Sequence, residues 1–275
     1  MQVKSKLLFF SLVPFICFSQ DIPMETWRNH FSYNKIEQIQ SSSNSIIASA
    51  TNGLFYINKS DNSINYLSKL DGLSDVGVSA MFFNTNDNSL TLGYPNGLID
   101  IYRDGEVLTV TEVFESLLVG DKFIQDIEAR NGKVFAANGF GIVVINATNG
   151  EVIENYQSIG ENATDVTAFE LATTSDKLVA ITSQGIQTGL LNQNLLDFNN
   201  WQTIASDTSV YKGLDLISPD EVVSIVDNNT ILAFDLNGNG ARVLLNSDEI
   251  IHQISVFEGK LYALISNSVY LVENQ

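Results

Sequence analysis

The chain has 275 residues, one cysteine and a formal net charge of −18, from 32 acidic against 14 basic side chains. Nucleic-acid binding needs clustered basic surface to neutralise phosphates, and the basic residues here are scattered singly, which excludes that class and argues against direct adhesion to an anionic membrane. Hydrophobic residues make up 44% of the chain, enough at this length to build a sizeable buried core.

Residues 1–19 read as a signal peptide. Lys4 and Lys6 form the positive region, Leu7 to Phe18 the apolar run, and Cys17 and Ser19 the small residues before cleavage after Ser19. The run falls short of the roughly 20 apolar residues of a spanning helix, and no later run is longer, so no transmembrane segment is expected after cleavage. Ile16 stands where a lipobox before Cys17 takes a small residue. Cleavage removes two lysines and takes the charge from −18 to −20. It also removes the only cysteine, so the exported body must be held together by its core without disulfides, which suits a bacterial envelope protein better than a small disulfide-stapled secreted domain.

Residues 20–275 read as a single all-β domain. A polar-aromatic stretch, Thr26 to Phe31, comes first, and then a repeat begins. NGLFYI starts at Asn52, NGLIDI at Asn96, FGIVVI at Phe140, QGIQTG at Gln184, NTILAF at Asn229 and NSVYLV at Asn267, with spacings of 44, 44, 44, 45 and 38 residues. Before each turn stands a buried-type strand: SIIASAT, SLTLGYP, KVFAANG, KLVAITS, EVVSIVD and KLYALIS. One strand earlier come residues 36–40, 78–83, 124–129, 166–171, 211–217 and 251–257. A more polar fourth run follows at 64–67, 107–114, 152–159, 201–205 and 241–245. Four short strands per period of about 40 to 50 residues, joined by Asn-Gly and Asp-Gly turns, specify the four-stranded antiparallel blades of a β-propeller. Six copies make six blades the expected number, with a seven-bladed ring cut short as the alternative. The sixth copy lacks a fourth strand, and residues 24–33 pairing with 268–273 would close the ring between the two termini.

The segment DGLSD (Asp71 to Asp75), then VSAMFF, then NSLTLGYPNGLIDIY resembles the repeat of two-component-regulator sensor propellers, as does ATNGLFYI (Ala50 to Ile57). The layout as a whole, with Glu25 to Tyr33 (ETWRNHFSY) directly after the signal peptide and then KIEQIQ, ATNGLFYI and DGLSDVGVSAM, resembles PorZ-type proteins, accessory components of the type IX secretion system in Bacteroidetes. Members of that family are longer, with a second propeller and a C-terminal secretion domain, so this chain would correspond to the first propeller, as a fragment or a split gene. The resemblance implies a non-enzymatic role at the cell surface, with partners in the type IX secretion machinery that include a sortase-like peptidase, and with lipopolysaccharide as a further ligand. A phosphate-bearing glycan would need a local basic or hydrogen-bonding patch on so acidic a protein. The alternatives are the periplasmic sensor propeller of a two-component system, and a carbohydrate-active propeller with carboxylates and aromatics converging at one mouth of the channel.

Residue chemistry points the same way. The histidines are His30 and His252, one in the proposed closing stretch and one in an inner strand; with no cysteine in the body and no Gly-x-Ser-x-Gly elbow, a nucleophile–base pair has little to draw on. No catalytic residue or cofactor is assigned. Gly139-Phe140-Gly141 reads as a hairpin turn. Asp235, Asn237 and Asn239, followed by Gly240, place oxygen ligands at alternate positions as in the first half of a calcium loop, although the twelfth position is Asn246 rather than glutamate. Asn58, Asn146, Asn162 and Asn228 sit in glycosylation sequons that coincidence explains in an asparagine-rich chain. Trp27 and Trp201 are the two aromatics that stand out as candidates for exposure to a glycan or partner.

Overall fold

In KVFAAN the alternating residues Val134 and Ala136 point one way and Phe135 and Ala137 the other, and both sets are apolar. Such a strand is stable only inside a sheet covered on both faces. The computed structural model, which describes residues 33–272 apart from Asn34, Asn52, Val119 and Asp207, satisfies this with six sheets stacked face to face as the blades of a six-bladed β-propeller. Blade 1 is β1 (Ile36–Ser41), β2 (Ser45–Ala50), β3 (Gly53–Asn58) and β4 (Ile64–Leu67); blade 2 is β5 (Ala80–Asn84), β6 (Ser89–Gly93), β7 (Ile99–Arg103) and β8 (Glu106–Val110). Blade 3 is β9 (Asp126–Arg130), β10 (Lys133–Asn138), β11 (Gly141–Asn146) and β12 (Val152–Tyr156); blade 4 is β13 (Ala168–Thr173), β14 (Lys177–Thr182), β15 (Gly185–Leu190) and β16 (Trp201–Ala205). Blade 5 is β17 (Tyr211–Ser218), β18 (Glu221–Val226), β19 (Thr230–Asp235) and β20 (Ala241–Asn246); blade 6 is β21 (Ile251–Phe257), β22 (Lys260–Ile265) and β23 (Ser268–Val272). Every sheet is an antiparallel meander in sequence order.

The first strand of each blade is innermost, and β1, β5, β9, β13, β17 and β21 follow one another side by side. The fourth strands are the most exposed, as in β4 and β20, which accounts for their polar sequences. Five apolar layers fill the spaces between successive blades. Leu54 and Leu92 lie between blades 1 and 2, Ile99 and Val134 between 2 and 3, Phe135 and Leu178 between 3 and 4, Val179 and Val222 between 4 and 5, and Ile225 and Ala263 between 5 and 6. Each fully buried Leu or Ile contributes on the order of 1.5–3 kcal/mol.

Three strand boundaries differ from the sequence expectation for one reason. Val78, Ile124 and Val166 are buried, yet they precede β5, β9 and β13 and plug the inter-blade layers from the connections. The run 107–114 likewise ends as a strand at Val110; Glu112–Glu115 is a helical turn, α1, whose Val113 turns inward. In each case an apolar residue serves the core without extending the ladder. The turn glycines also divide. Gly97, Gly141 and Gly185 have positive φ of 91°, 103° and 98°, and a Cβ at Gly141 or Gly185 would strike the carbonyl oxygen of Tyr156 or Ala205. In blades 5 and 6 the left-handed residues move to Asp227, Asn228 and Ser266, which releases the glycine position to Thr230 and Ser268.

The connection from blade 1 to blade 2 is tied down by a buried carboxylate. Asp100 on β7 is fully buried and accepts from Ser74 N (2.7 Å), Ser74 Oγ (2.6 Å), Tyr94 Oη (2.8 Å) and Thr109 Oγ1 (2.8 Å). Ser68 and Asp71 form a reciprocal capping box at the start of the same connection, and Gly72 ends it in the left-handed region. The motif residues of DGLSD and NGLID are therefore one structural knot. Burial, and then the Asp100 carboxylate, push the Tyr94 hydroxyl above its usual range.

The signal peptide and the greater part of the expected closing strand, residues 24–32 with Glu273, lie outside the described residues. Within them blade 6 has three strands, and Tyr33 packs its ring on Phe55 (5.8 Å between centroids) and Tyr66 (4.7 Å) of blade 1.

Candidate functional site

Polar side chains on the inner strands, or in Ser79 just before one, bond across every described junction between blades. Gln38 Nε2 donates to Ser79 O (2.6 Å) and Gln40 Nε2 to Met81 O (3.0 Å), from blade 1 to blade 2. Ser79 Oγ donates to Ile124 O (2.8 Å), from blade 2 toward blade 3. From there on the bonding groups are carboxylates. Asp126 Oδ2 accepts from Leu171 N (2.8 Å), Glu128 Oε2 from Thr173 Oγ1 (3.0 Å), the two Glu170 oxygens from Gly213 N and Leu214 N (2.8 and 2.7 Å), and Asp215 Oδ2 from Val256 N (2.7 Å). The separations, 41 to 45 residues, track the repeat period. One half of the ring is thus latched by neutral groups and the other by acids.

Burial dominates the titration of these acids. It pushes Asp126 up to about 7, opposed by the Leu171 N–H and reinforced by the charge of Glu170. It pushes Glu128 up to about 8, reinforced by Asp126. Burial also raises Glu170 and Asp215, against the N–H groups that bond them. The four carboxylates lie on the inner strands of blades 3–5, and each is engaged by the following blade. A signal for them existed in the sequence: polar residues at matching places in otherwise apolar inner strands.

A second feature comes from an insertion. The connection between β15 and β16, residues 191–200, is twice the length of its counterparts 59–63 and 236–240, and long loops carrying their own structure are often functional. Leu195 anchors it in the core, and Asp197 caps its 3₁₀ turn, Phe198–Asn200, by accepting from Asn199 N. A groove of about 540 Å³ lies on one side, lined chiefly by Asn162, Gln184, Gln187, Phe198, Asn199 and Thr203. Another of about 470 Å³ lies on the other side, with Lys177, Gln193, Gln202 and Asn237 among its walls. Both are rich in amides and hydroxyls.

The sequence candidates fall as follows. Trp201 is not an exposed platform: it is 9% exposed, packs edge-on to Tyr156 and donates Nε1–H to Leu195 O (2.9 Å), because the inserted loop folds over it. Trp27 and His30 lie outside the described residues, while His252 is exposed on β21. Asn58 and Asn146 use their side chains to cap turns, accepting from Ser60 N and Thr148 N. Asp235, Asn237 and Asn239 do share one turn. Asp235 accepts from Asn237 N (2.6 Å) and Asn239 Nδ2 (3.1 Å), and the first of these bonds holds its carboxyl below the usual range. The Lys177 ammonium sits 2.8 Å from both Asn237 Oδ1 and Leu236 O. With a protein cation already on this turn, the melting temperature is expected to be the same in excess EDTA as in millimolar calcium; a drop in EDTA would assign the turn to calcium.

The family model for the N-terminal β-propeller domain of PorZ of the type IX secretion system matches residues 46–202. No curated protein matches the sequence. Among solved structures, PorZ from Porphyromonas gingivalis, described as an essential bacterial surface component of the type IX secretion system, superposes with a TM-score of 0.71 at 18% identity, over 87% of this chain and 33% of that one. The extracellular domain of the putative hybrid two-component system BT4673 from B. thetaiotaomicron gives 0.66 at 13% identity, over 89% and 34%. The WD40 β-propeller domain of Doa1 gives 0.62 at 12% identity, over 85% and 77%. The chain spans about a third of the length of the first and second of these structures. At these identities the superpositions speak to the fold.

Proposed function

Because the chain belongs to the family of PorZ N-terminal β-propeller domains of the type IX secretion system, we propose that it is a non-enzymatic interaction module of that system at the periplasm or outer surface, assisting the processing and attachment of cargo beside a sortase-like peptidase. The family match over residues 46–202 carries this reading. The inner-strand acids support it, since each is hydrogen-bonded to the following blade. Lipopolysaccharide is the second ligand of the proposal. The amide-lined grooves beside residues 191–200 supply the local hydrogen-bonding patch that a glycan needs on a protein of net charge −18. Affinity capture of the tagged chain from surface extracts, read by mass spectrometry, is expected to recover a sortase-like peptidase or another secretion component. Recovery of neither would overturn the protein-partner reading, and unchanged lipopolysaccharide binding by Gln184→Ala/Asn199→Ala would remove the grooves from it.

The likeness to the BT4673 extracellular domain favours a second reading, a periplasmic sensor propeller. A downstream frame encoding a membrane helix and a kinase would select it.

A further inference from the structure

One backbone bond recurs where the third strand of a blade turns into the fourth. Ala147 N donates to Gly132 O (2.9 Å) in blade 3, Leu191 N to Asp176 O (2.7 Å) in blade 4 and Leu236 N to Asp220 O (2.9 Å) in blade 5. Each donor directly follows the third strand, and each acceptor directly precedes the second. The side chains of Ala147, Leu191 and Leu236 all pack into the layer shared with the preceding blade. One apolar side chain, seated by its own N–H, thus plugs the edge of each of these three layers.

Blade 2 departs from this. Two residues, Asp104-Gly105, join β7 to β8, where blades 3 and 5 use five and blade 4 uses ten. Their φ angles of 53° and 88° are those of a tight hairpin turn. Asp104 holds the place of Ala147, Leu191 and Leu236, yet it is exposed, and among the described residues its N–H does not reach Asn88 O. Where the plug would sit, the layer between blades 1 and 2 opens into a pocket of about 290 Å³. Its buried lining is Ile47, Leu54, Leu67 and Leu90. Tyr56 and Tyr102 line it partly buried, with neither hydroxyl hydrogen-bonded among the described residues. Asn88 and Asp104 stand exposed at its edge, and the Asp104 carboxylate has no hydrogen bond or ion pair among the described residues.

We propose that this pocket binds a peptide segment of a partner protein, through one leucine-sized aliphatic side chain followed by a basic residue. The aliphatic side chain takes the seat that Leu236 fills in blade 5, and its main-chain N–H donates to Asn88 O as Leu236 N does to Asp220 O. The basic residue meets the Asp104 carboxylate. Two observations set this occupant. In three other layers the same seat is filled by a peptide group carrying an apolar side chain, which specifies a main-chain donor beside the apolar group. A lone carboxylate at the edge of an apolar pocket, on a protein of net charge −18, selects a cation over an anion. The occupant is set by the packing of one layer and holds under either functional reading.

A short peptide series tests it. Titration with acetyl-Gly-Leu-Lys-Gly-amide, followed by NMR, is expected to shift the resonances of Asn88, Leu90 and Tyr102 with millimolar affinity. Alanine in place of the peptide leucine should weaken binding about tenfold or more. Glutamate in place of the peptide lysine should weaken it about threefold, a difference that fades in about 0.5 M salt and vanishes in Asp104→Asn. Ser45 lines the pocket on the same face of β2 as Ile47, so Ser45→Trp should fill it and abolish the shifts while melting within about 3 °C of the parent. No shift at these residues, or an alanine or glutamate peptide as tight as the first, would overturn the proposal. Hexylammonium binding as tightly as the peptide would replace it with a small amphiphilic cation. A Ser45→Trp protein melting more than about 10 °C below the parent would mean that the chain fills this pocket itself, and would overturn it equally.

Discussion

Replacing Asp100 with alanine is expected to lower the unfolding free energy by on the order of 3–5 kcal/mol, a large effect for a polar substitution. The carboxylate takes four hydrogen bonds at a fully buried position, and each buried donor left without an acceptor costs about 1–3 kcal/mol, with the hydroxyls recovering part by rotation. Asp100→Asn should fall between, because it keeps one acceptor oxygen but turns an amide NH₂ toward groups that themselves donate. Tyr94→Phe removes a single bond and should cost about 1 kcal/mol. Urea unfolding of the three variants gives the ranking directly. An Asp100→Ala protein within 1 kcal/mol of the parent would show that Ser74 and the blade 1–2 connection are held by other means.

Raising the pH from 5.5 to 8.5 is expected to destabilise the protein, contrary to the usual behaviour of paired carboxylates. In the folded protein Asp126 and Glu128 keep their protons to about pH 7 and about pH 8, whereas in the unfolded chain both ionise near pH 4. Between those limits the folded state binds more protons, so stability is full below the unfolded values and falls as pH rises through the folded ones. Glu170 and Asp215 are raised by burial too and act in the same direction. Lys212 near Glu170 and Arg130 near Glu128 oppose the trend without reversing it. Asp126→Asn/Glu128→Gln, which keeps acceptors for the Leu171 N–H and the Thr173 hydroxyl, should flatten the profile and raise the melting temperature at pH 8.5. A parent that melts higher at pH 8.5 than at 5.5 would refute this account of the acidic latches.

The two expectations differ in how far the sequence foreshadowed them. Ser74 and Asp100 stand in the two most recognisable motifs of the chain, so their importance was legible, but not that they meet. The separation of 26 residues belongs to a connection that folds back over its own blade. The acidic latches left a fainter trace, as polar residues in apolar inner strands whose bonding partners lie 41 to 45 residues further along the chain. Trp201 left none, because its burial depends on how residues 191–200 fold over it and on Leu195 receiving its indole N–H.

The sequence by itself determined the blade. Alternation, turn glycines and a 44-residue echo are local or periodic signals, and they suffice because strand pairing within a meander joins chain neighbours. It also determined the polar outer strands and the family. Only the tertiary structure decided what the faces do: which carboxylates join blades, where the inserted loop opens grooves, and that Ile46 and Val269 are exposed where their counterparts are buried. Those outcomes depend on what lies against a face from another blade, and an apolar residue has the same spelling whether or not a neighbour covers it.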